Sequence, residues 1–205
     1  MKLLYQTHSP YARKVLVFAH EAGLADSLSV VHQETSPVQR NETVFAQNPL
    51  GKVPVLIRDG ARPLFDSDVI CAYLDTLHDS PKLIPTEGEA RWQALLLQAV
   101  AQGLADAGIA IRWETARRPR ELRYPPLAEG HTQKLICGYD WLEHGLDVDA
   151  PPHVGHIAVA TTLSWLEFRE LPRFRPGRPR LTRWFDAFCV RKSMLATPLS
   201  GETHD

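Results

Sequence analysis

The chain has 205 residues, 44% hydrophobic and 23% charged, with a net charge of −1. That length can bury a core as one large domain or two small ones, and the composition is that of an ordinary globular protein. The near-neutral charge excludes a global electrostatic pull towards nucleic acid or an anionic membrane, and no apolar run approaches the ~20 residues that span a bilayer.

The first residues, Met1-Lys2-Leu3-Leu4-Tyr5-Gln6, lack the apolar core and cleavage site of a secretory signal. Cys71, Cys137 and Cys189 lie far apart, with neither metal nor redox spacing. A reducing, cytoplasmic setting is therefore expected.

In chain order, residues 2–6 form a short apolar run with a strand signal. Ser9-Pro10 opens a helix, with Ser9 as N-cap and Pro10 in the first turn, and Gly23 suits its end. Residues 27–33 are β-branched enough for a second strand, and residues 35–47 combine turn chemistry with a short helix. The stretch Asn48-Pro49-Leu50-Gly51-Lys52-Val53-Pro54-Val55-Leu56 places two prolines and a glycine before a buried strand over 53–58. Pro54 cannot donate to a sheet ladder, so it belongs at a strand start or in a cis turn. Asp59-Gly60 then signals a hairpin into a strand over 62–65. From Ser67 onward, Val69, Ile70, Tyr73, Leu74 and Leu77 repeat at helical spacing.

Pro81, Pro85 and Gly88 mark a linker. Beyond it the strand signals stop. Residues 89–116 form a long helix with Gly103 and Gly108 as points of curvature or close packing, residues 117–126 a loop, and residues 127–146 another helix. Residues 154–166 are apolar all round, the mark of a helix buried on every side. Residues 181–190 and 192–196 form two last short helices. The expected architecture is an α/β domain over 1–78 in the order βαβαββα, a linker over 79–88, and an all-α domain over 89–205.

These residues resemble the cytosolic glutathione transferases, which pair a thioredoxin-like domain bearing a cis-proline with an all-α helical bundle. The likeness rests on Ser9-Pro10-Tyr11-Ala12-Arg13-Lys14, on residues 48–56, and on Phe65-Asp66-Ser67 before a helix with Tyr73-Leu74. It covers essentially the whole chain. It is nearest to a bacterial subgroup that starts with serine-proline-aromatic and shares segments like Ala105-Asp106-Ala107-Gly108 and Arg112-Trp113-Glu114.

The resemblance implies glutathione as cosubstrate and Ser9 as the catalytic residue. A free thiol has a pKa of roughly 8.5. A hydroxyl hydrogen bond to the thiolate, at about 1.5–3 kcal/mol, makes it roughly ten- to a hundred-fold more acidic, and the helix N-terminus adds partial positive charge. Ser9 also reads as a plain N-cap, and Thr7, His8, Tyr5 and Tyr11 compete for the thiol role. Serine in place of cysteine argues against a mixed-disulfide mechanism.

By the same resemblance, the backbone of Val53 before Pro54 pairs with the cysteinyl part of glutathione as an added strand would. Lys52 matches a position that reaches the glycine carboxylate, or is a solvated lysine. Ser67 and its helix N-terminus suit the γ-glutamyl carboxylate, and Asp66 suits the ammonium, although glutamate is commoner there. The alternative is a plain cap, Ser67, for a helix beginning at Asp68, and the two roles can coexist.

Family members act as homodimers and often reach the partner's glutathione from the long helix, which makes Gln102 and Asp106 candidates; solvated-face residues are the alternative. Tyr11, Ile109, Arg112, Trp113 and Phe168 are candidates for the second-substrate pocket, with ordinary core packing as the alternative. One departure concerns the buried helix, where His153 and His156 stand in place of the family's serine- or threonine-aspartate capping box. The nine histidines show no metal spacing, so no metal is expected. The expected function is transfer of glutathione to a small electrophile, without nucleic-acid or membrane partners. The alternatives are a non-catalytic regulator of the starvation-protein type, or a glutathione-dependent disulfide reductase or peroxidase.

Overall fold

A computed structural model describes residues 1–201. The chain forms two compact units: Met1–Arg91 with the described residues from Lys192 on, and Trp92–Arg191.

The first unit is built on four short strands. They are β1 (Lys2–Tyr5), β2 (Ser29–His32), β3 (Val55–Arg58) and β4 (Ala61–Leu64), arranged in the order β2-β1-β3-β4. β1 runs parallel to β2 and antiparallel to β3, with Leu3 opposite Leu56 and Leu4 opposite Val55. Successive side chains alternate between faces. Leu4 and Val55 pack with Val44 of α2 (Glu42–Phe45) and with Val53, whereas the equally buried Leu3 and Leu56 point to the other face. Helices α1 (Pro10–Glu21) and α3 (Ser67–Leu74) pack together, and α3 also lies against β3. Val15, Phe18, Ile70 and Leu74 supply their buried side chains. β2 is shorter than the sequence expectation because Ala25–Ser27 closes a 3-10 turn before it.

The linker is held by Asp75, which is 6% exposed. Its carboxylate accepts from the backbone N–H groups of Leu83 and Ile84 at 2.9 and 3.1 Å. The last helix, α8 (Lys192–Leu195), packs on α1 in place of the helical domain that a division at 89–205 gives it. The Ser193 hydroxyl donates to the Glu21 carboxylate, and Arg13 Nη2 donates to the Met194 carbonyl at 3.3 Å.

The second unit comprises most of α4 (Gly88–Arg112), a π-helical turn (Trp113–Arg117), α5 (Pro125–Gly145), α6 (Val154–Phe168) and α7 (Pro179–Cys189). The continuous helical run Gly88–Arg117 is 30 residues long and apolar enough by composition to cross a membrane, which the shorter-run count in the sequence did not register. Its buried positions Ala94, Leu97, Ala101, Leu104 and Ala105 recur at three- and four-residue spacing, the pattern of a core helix. A Cβ on Gly108 would lie 2.7 Å from Leu166, so this glycine serves close packing, while Gly103 has open space around it. The expected loop over 117–126 is more regular than its arginines and prolines suggest. It holds a 3-10 turn at Arg120–Leu122, and Pro125 opens α5, where a missing N–H is tolerated.

Helix α6 is buried along nearly its whole length. His153 replaces the usual cap: its Nδ1 accepts from the Gly155 N–H at 3.1 Å. The His156 ring stacks on it at 4.0 Å, and its Nε2 bonds the Asp147 carbonyl at 2.9 Å. Burial first, and the neighbouring His156 second, push the His153 pKa down to about 4, and burial depresses His156 as well. An unfolded histidine protonates below its ordinary 6.5. The folded rings resist protonation, so the unfolded chain binds more protons and stability falls as pH drops from 6.5 towards about 4. Urea midpoints measured across that window should fall in the native chain and fall less steeply in His153→Asn, which keeps an N-cap acceptor and removes the base.

Candidate functional site

Three sequence motifs meet at one end of the first unit, and the sheet register places them there. β1 ends at Tyr5 and runs into the loop carrying Ser9. β3 is antiparallel to β1 and starts with Val55 opposite Leu4, so Val53 and Pro54 arrive at the same edge. The Val53–Pro54 peptide bond is cis, and Val53 lies beyond the last paired position of the ladder. α3 is brought in by an ion pair between Lys14 of α1 and Asp68 of α3. Lys14 is 4% exposed, and Asp68 is the residue after Ser67. The pair therefore joins the N-terminal halves of both helices.

A polar network holds the intervening loops. Buried Gln6 donates through Nε2 to Glu34 Oε2 at 2.8 Å and to the Thr35 carbonyl at 3.1 Å. Thr35 Oγ1 donates to the Gly51 carbonyl at 2.8 Å. Asn48, 2% exposed, donates to the Lys52 carbonyl at 2.9 Å and accepts from the Leu50 N–H at 3.0 Å. Gly51 completes the turn at φ +62°, and an added Cβ would fall 2.2 Å from the Phe45 ring. Two separate obstacles, backbone conformation and space, reserve that position for glycine.

Ser9 is 7% exposed and caps α1, its Oγ accepting from the Ala12 N–H at 3.2 Å. That bond uses a lone pair and leaves the hydroxyl proton for donation. Among its sequence competitors, Tyr5 packs edge-on against His32, and His8 is buried with Nε2 3.8 Å from Glu34 Oε2. The Thr7 carbonyl accepts from the Ser200 N–H at 3.3 Å.

Asp66, not Ser67, caps α3, accepting from the Asp68 N–H at 3.0 Å and lying 3.5 Å from that of Val69. Ser67 is the first helical residue, fully buried, and its Oγ has no hydrogen-bond partner among the described residues. A buried hydroxyl left unmatched costs about 1–3 kcal/mol, which an anionic ligand oxygen at this helix N-terminus would offset. Lys52 is exposed. Cys71, one turn into α3, is fully buried, and that burial pushes its thiol up to about 12, which disfavours the thiolate.

Of the remaining candidates, one is next to this constellation in the chain and the others are far from it. Tyr11 sits half-buried in the first turn of α1. Gln102, Asp106, Ile109 and Arg112 are on α4, Trp113 opens the π turn, and Phe168 ends α6 with the Arg169 guanidinium 4.6 Å from its ring centre. No group of three or more histidine, cysteine or acidic residues among the described residues is placed to hold a metal ion. Lys14, Asp68, Gln6 and Thr35 escaped the sequence reading. Each is an ordinary polar residue whose role exists only through a partner at least 16 residues away.

A four-stranded mixed sheet with a cis-proline before its third strand, followed by a helical unit, defines a thioredoxin-like two-part fold. The family model described as glutathione S-transferase, N-terminal domain, matches residues 8–77. A glutathione transferase family member from Pseudomonas fluorescens Pf-5, solved with bound glutathione, is 35% identical, with a TM-score of 0.93 and coverage of 98% of this chain and 99% of that one. The same organism's family member solved with S-(propanoic acid)-glutathione gives 35% identity, a TM-score of 0.89, and coverage of 98% and 100%. The uncharacterized GST-like protein YibF of Escherichia coli K12 is 26% identical, covering 96% of this chain and 98% of its own. The chain belongs to the glutathione transferase family.

The ion pair that docks α3 on α1 generates a test. Removing Asp68 strands a buried ammonium, whereas removing both charges does not. Asp68→Ala should cost about 2–4 kcal/mol of unfolding free energy, and Lys14→Met with Asp68→Ala clearly less than the single change; chemical denaturation of the three variants measures the difference.

Proposed function

We propose that this chain is a glutathione transferase in which Ser9 donates a hydrogen bond to the glutathione sulfur and holds it as thiolate. The reading is carried by one observation: the buried, unmatched Ser67 hydroxyl lies at the same end of the unit as the Ser9 cap and the cis Val53–Pro54 bond. In this reading the Val53 backbone pairs with the cysteinyl residue of glutathione. Ser67 and the start of α3 take the γ-glutamyl carboxylate, Asp66 takes the ammonium with the carboxylate oxygen not used in capping, and Lys52 reaches the glycine carboxylate. The thiol proton leaves to solvent, the sulfur forms a bond to an electrophilic carbon, and any leaving group departs with its electron pair. Tyr11, Ile109, Arg112, Trp113 and Phe168 contact the electrophile. The chain works as a cytoplasmic homodimer, with Gln102 and Asp106 directed to the partner's glutathione.

Conjugation is favoured over a non-catalytic module because a 35% identical relative binds a glutathione with a substituent on its sulfur. Reduction through bound glutathione is the second reading, since Ser9 cannot form the mixed disulfide itself and burial disfavours the Cys71 thiolate that would. Calorimetry with glutathione comes first: absence of binding at millimolar ligand overturns the enzyme reading. Ser9→Ala should then keep glutathione affinity and lose about ten- to a hundred-fold in kcat/KM, matching one charged hydrogen bond. Ser9→Thr, which keeps both hydroxyl and cap, should recover part of that loss; unchanged turnover in Ser9→Ala would move the role to Thr7, His8, Tyr5 or Tyr11.

A further inference from the structure

The carboxylate of Glu34, two residues past the end of β2, gathers side chains from two neighbouring stretches of the first unit. Its Oε2 accepts from Gln6 Nε2 at 2.8 Å and lies 3.8 Å from His8 Nε2. Its Oε1 accepts from His32 Nε2 at 2.7 Å, and the His32 ring sits edge-on to Tyr5. Gln6 and His8 are buried and flank Thr7 in the loop between β1 and α1, and His8 directly precedes Ser9. Both oxygens of this half-buried acid are thus engaged, which sets it apart from a solvated surface charge.

The route from Glu34 to Ser9 is short. The Gln6 carbonyl accepts from the Ser9 N–H at 3.1 Å, so one residue meets the Glu34 carboxylate with its side chain and the Ser9 amide with its backbone. That turn fixes the backbone from which the Ser9 hydroxyl projects. A displacement of about 1 Å is enough to spoil a catalytic hydrogen bond. Glu34 is itself anchored: its carbonyl accepts at 2.8 Å from Nδ2 of Asn41, the residue that caps α2. The loop has separate supports in the Ser200 N–H, which donates to the Thr7 carbonyl at 3.3 Å, and in the second Gln6 bond, to the Thr35 carbonyl at 3.1 Å. Loss of the carboxylate therefore leaves the loop attached and removes the charge-assisted bond that orients it.

We propose that Glu34 is a positioning residue for glutathione activation, aiming the Ser9 hydroxyl at the sulfur through Gln6. The inference rests on the Ser9 reading of the glutathione site and adds the residue that sets its aim. A Glu34 that only stabilised the fold would leave the acidity of the bound thiol unchanged.

The test is a titration of glutathione bound to the full chain, following the ultraviolet absorbance of the thiolate against the ligand-free chain as pH is raised, with calorimetric affinity for glutathione alongside. Glu34→Ala should make the bound thiol about three- to tenfold less acidic, while affinity at neutral pH stays within about threefold. Glu34→Gln keeps an acceptor for Gln6 and should recover most of the acidity; Glu34→Met, of similar length and with no acceptor oxygen, should not. In a Ser9→Ala background Glu34→Ala should cause no further change, because the route ends at Ser9. Circular dichroism identifies a variant that fails to fold, and the Gln–Met comparison decides in that event. Native thiol acidity in Glu34→Met, or a Glu34→Ala effect that persists undiminished without Ser9, overturns the positioning role and leaves the transferase reading in place. Native acidity in Ser9→Ala overturns the Ser9 reading and this inference with it.

Discussion

The antiparallel register of β1 against β3 is the constraint on which the candidate site depends. Leu4 faces Val55, so the exit from β1 and the entry to β3 share one edge. A slip by one residue would turn the buried Leu3 and Leu56 to the wrong face as well as moving Val53. Core packing therefore enforces the register, and the register places the backbone of Val53 beside the Ser9 loop. Apolar burial and the arrangement of the site are here a single requirement.

Apolar packing alone does not shape the turns at that edge. Gln6, Thr35 and Asn48 each bond carbonyl groups that the sheet does not use, which keeps those groups from being buried without partners. The Lys14–Asp68 pair serves the helices in the same way. A buried ion pair adds little net stability over an apolar pair, but it penalises any arrangement that separates the charges. Its contribution here is positional: α3 starts where α1 requires it to start.

Much of this was legible in the sequence, for physical reasons that differ by element. α1 announced itself through Ser9-Pro10, because cap and proline chemistry are local. Pro54, lacking a donor, marked the start of β3 or a cis turn, and the resemblance added the cis bond that is present. The helix α6 was visible as an apolar run and its histidine cap as an anomaly, although the ring stacking of His153 on His156 was not. What could not be read were the features set by distant partners. Asp66 rather than Ser67 takes the cap of α3, the chain from Lys192 returns to α1, and the π turn follows no local propensity. The unmatched Ser67 hydroxyl belongs with these, since burial is a property of the folded chain alone.

Gly51 illustrates how such a structure limits its own variation. Shrinking Phe45 would open room for a side chain and still leave the backbone in a left-handed conformation; relaxing the backbone would still leave the ring in the way. Neither change is useful without the other, and each alone disturbs the turn that ends in Val53. The accessible mutational paths at this position are therefore closed in both directions.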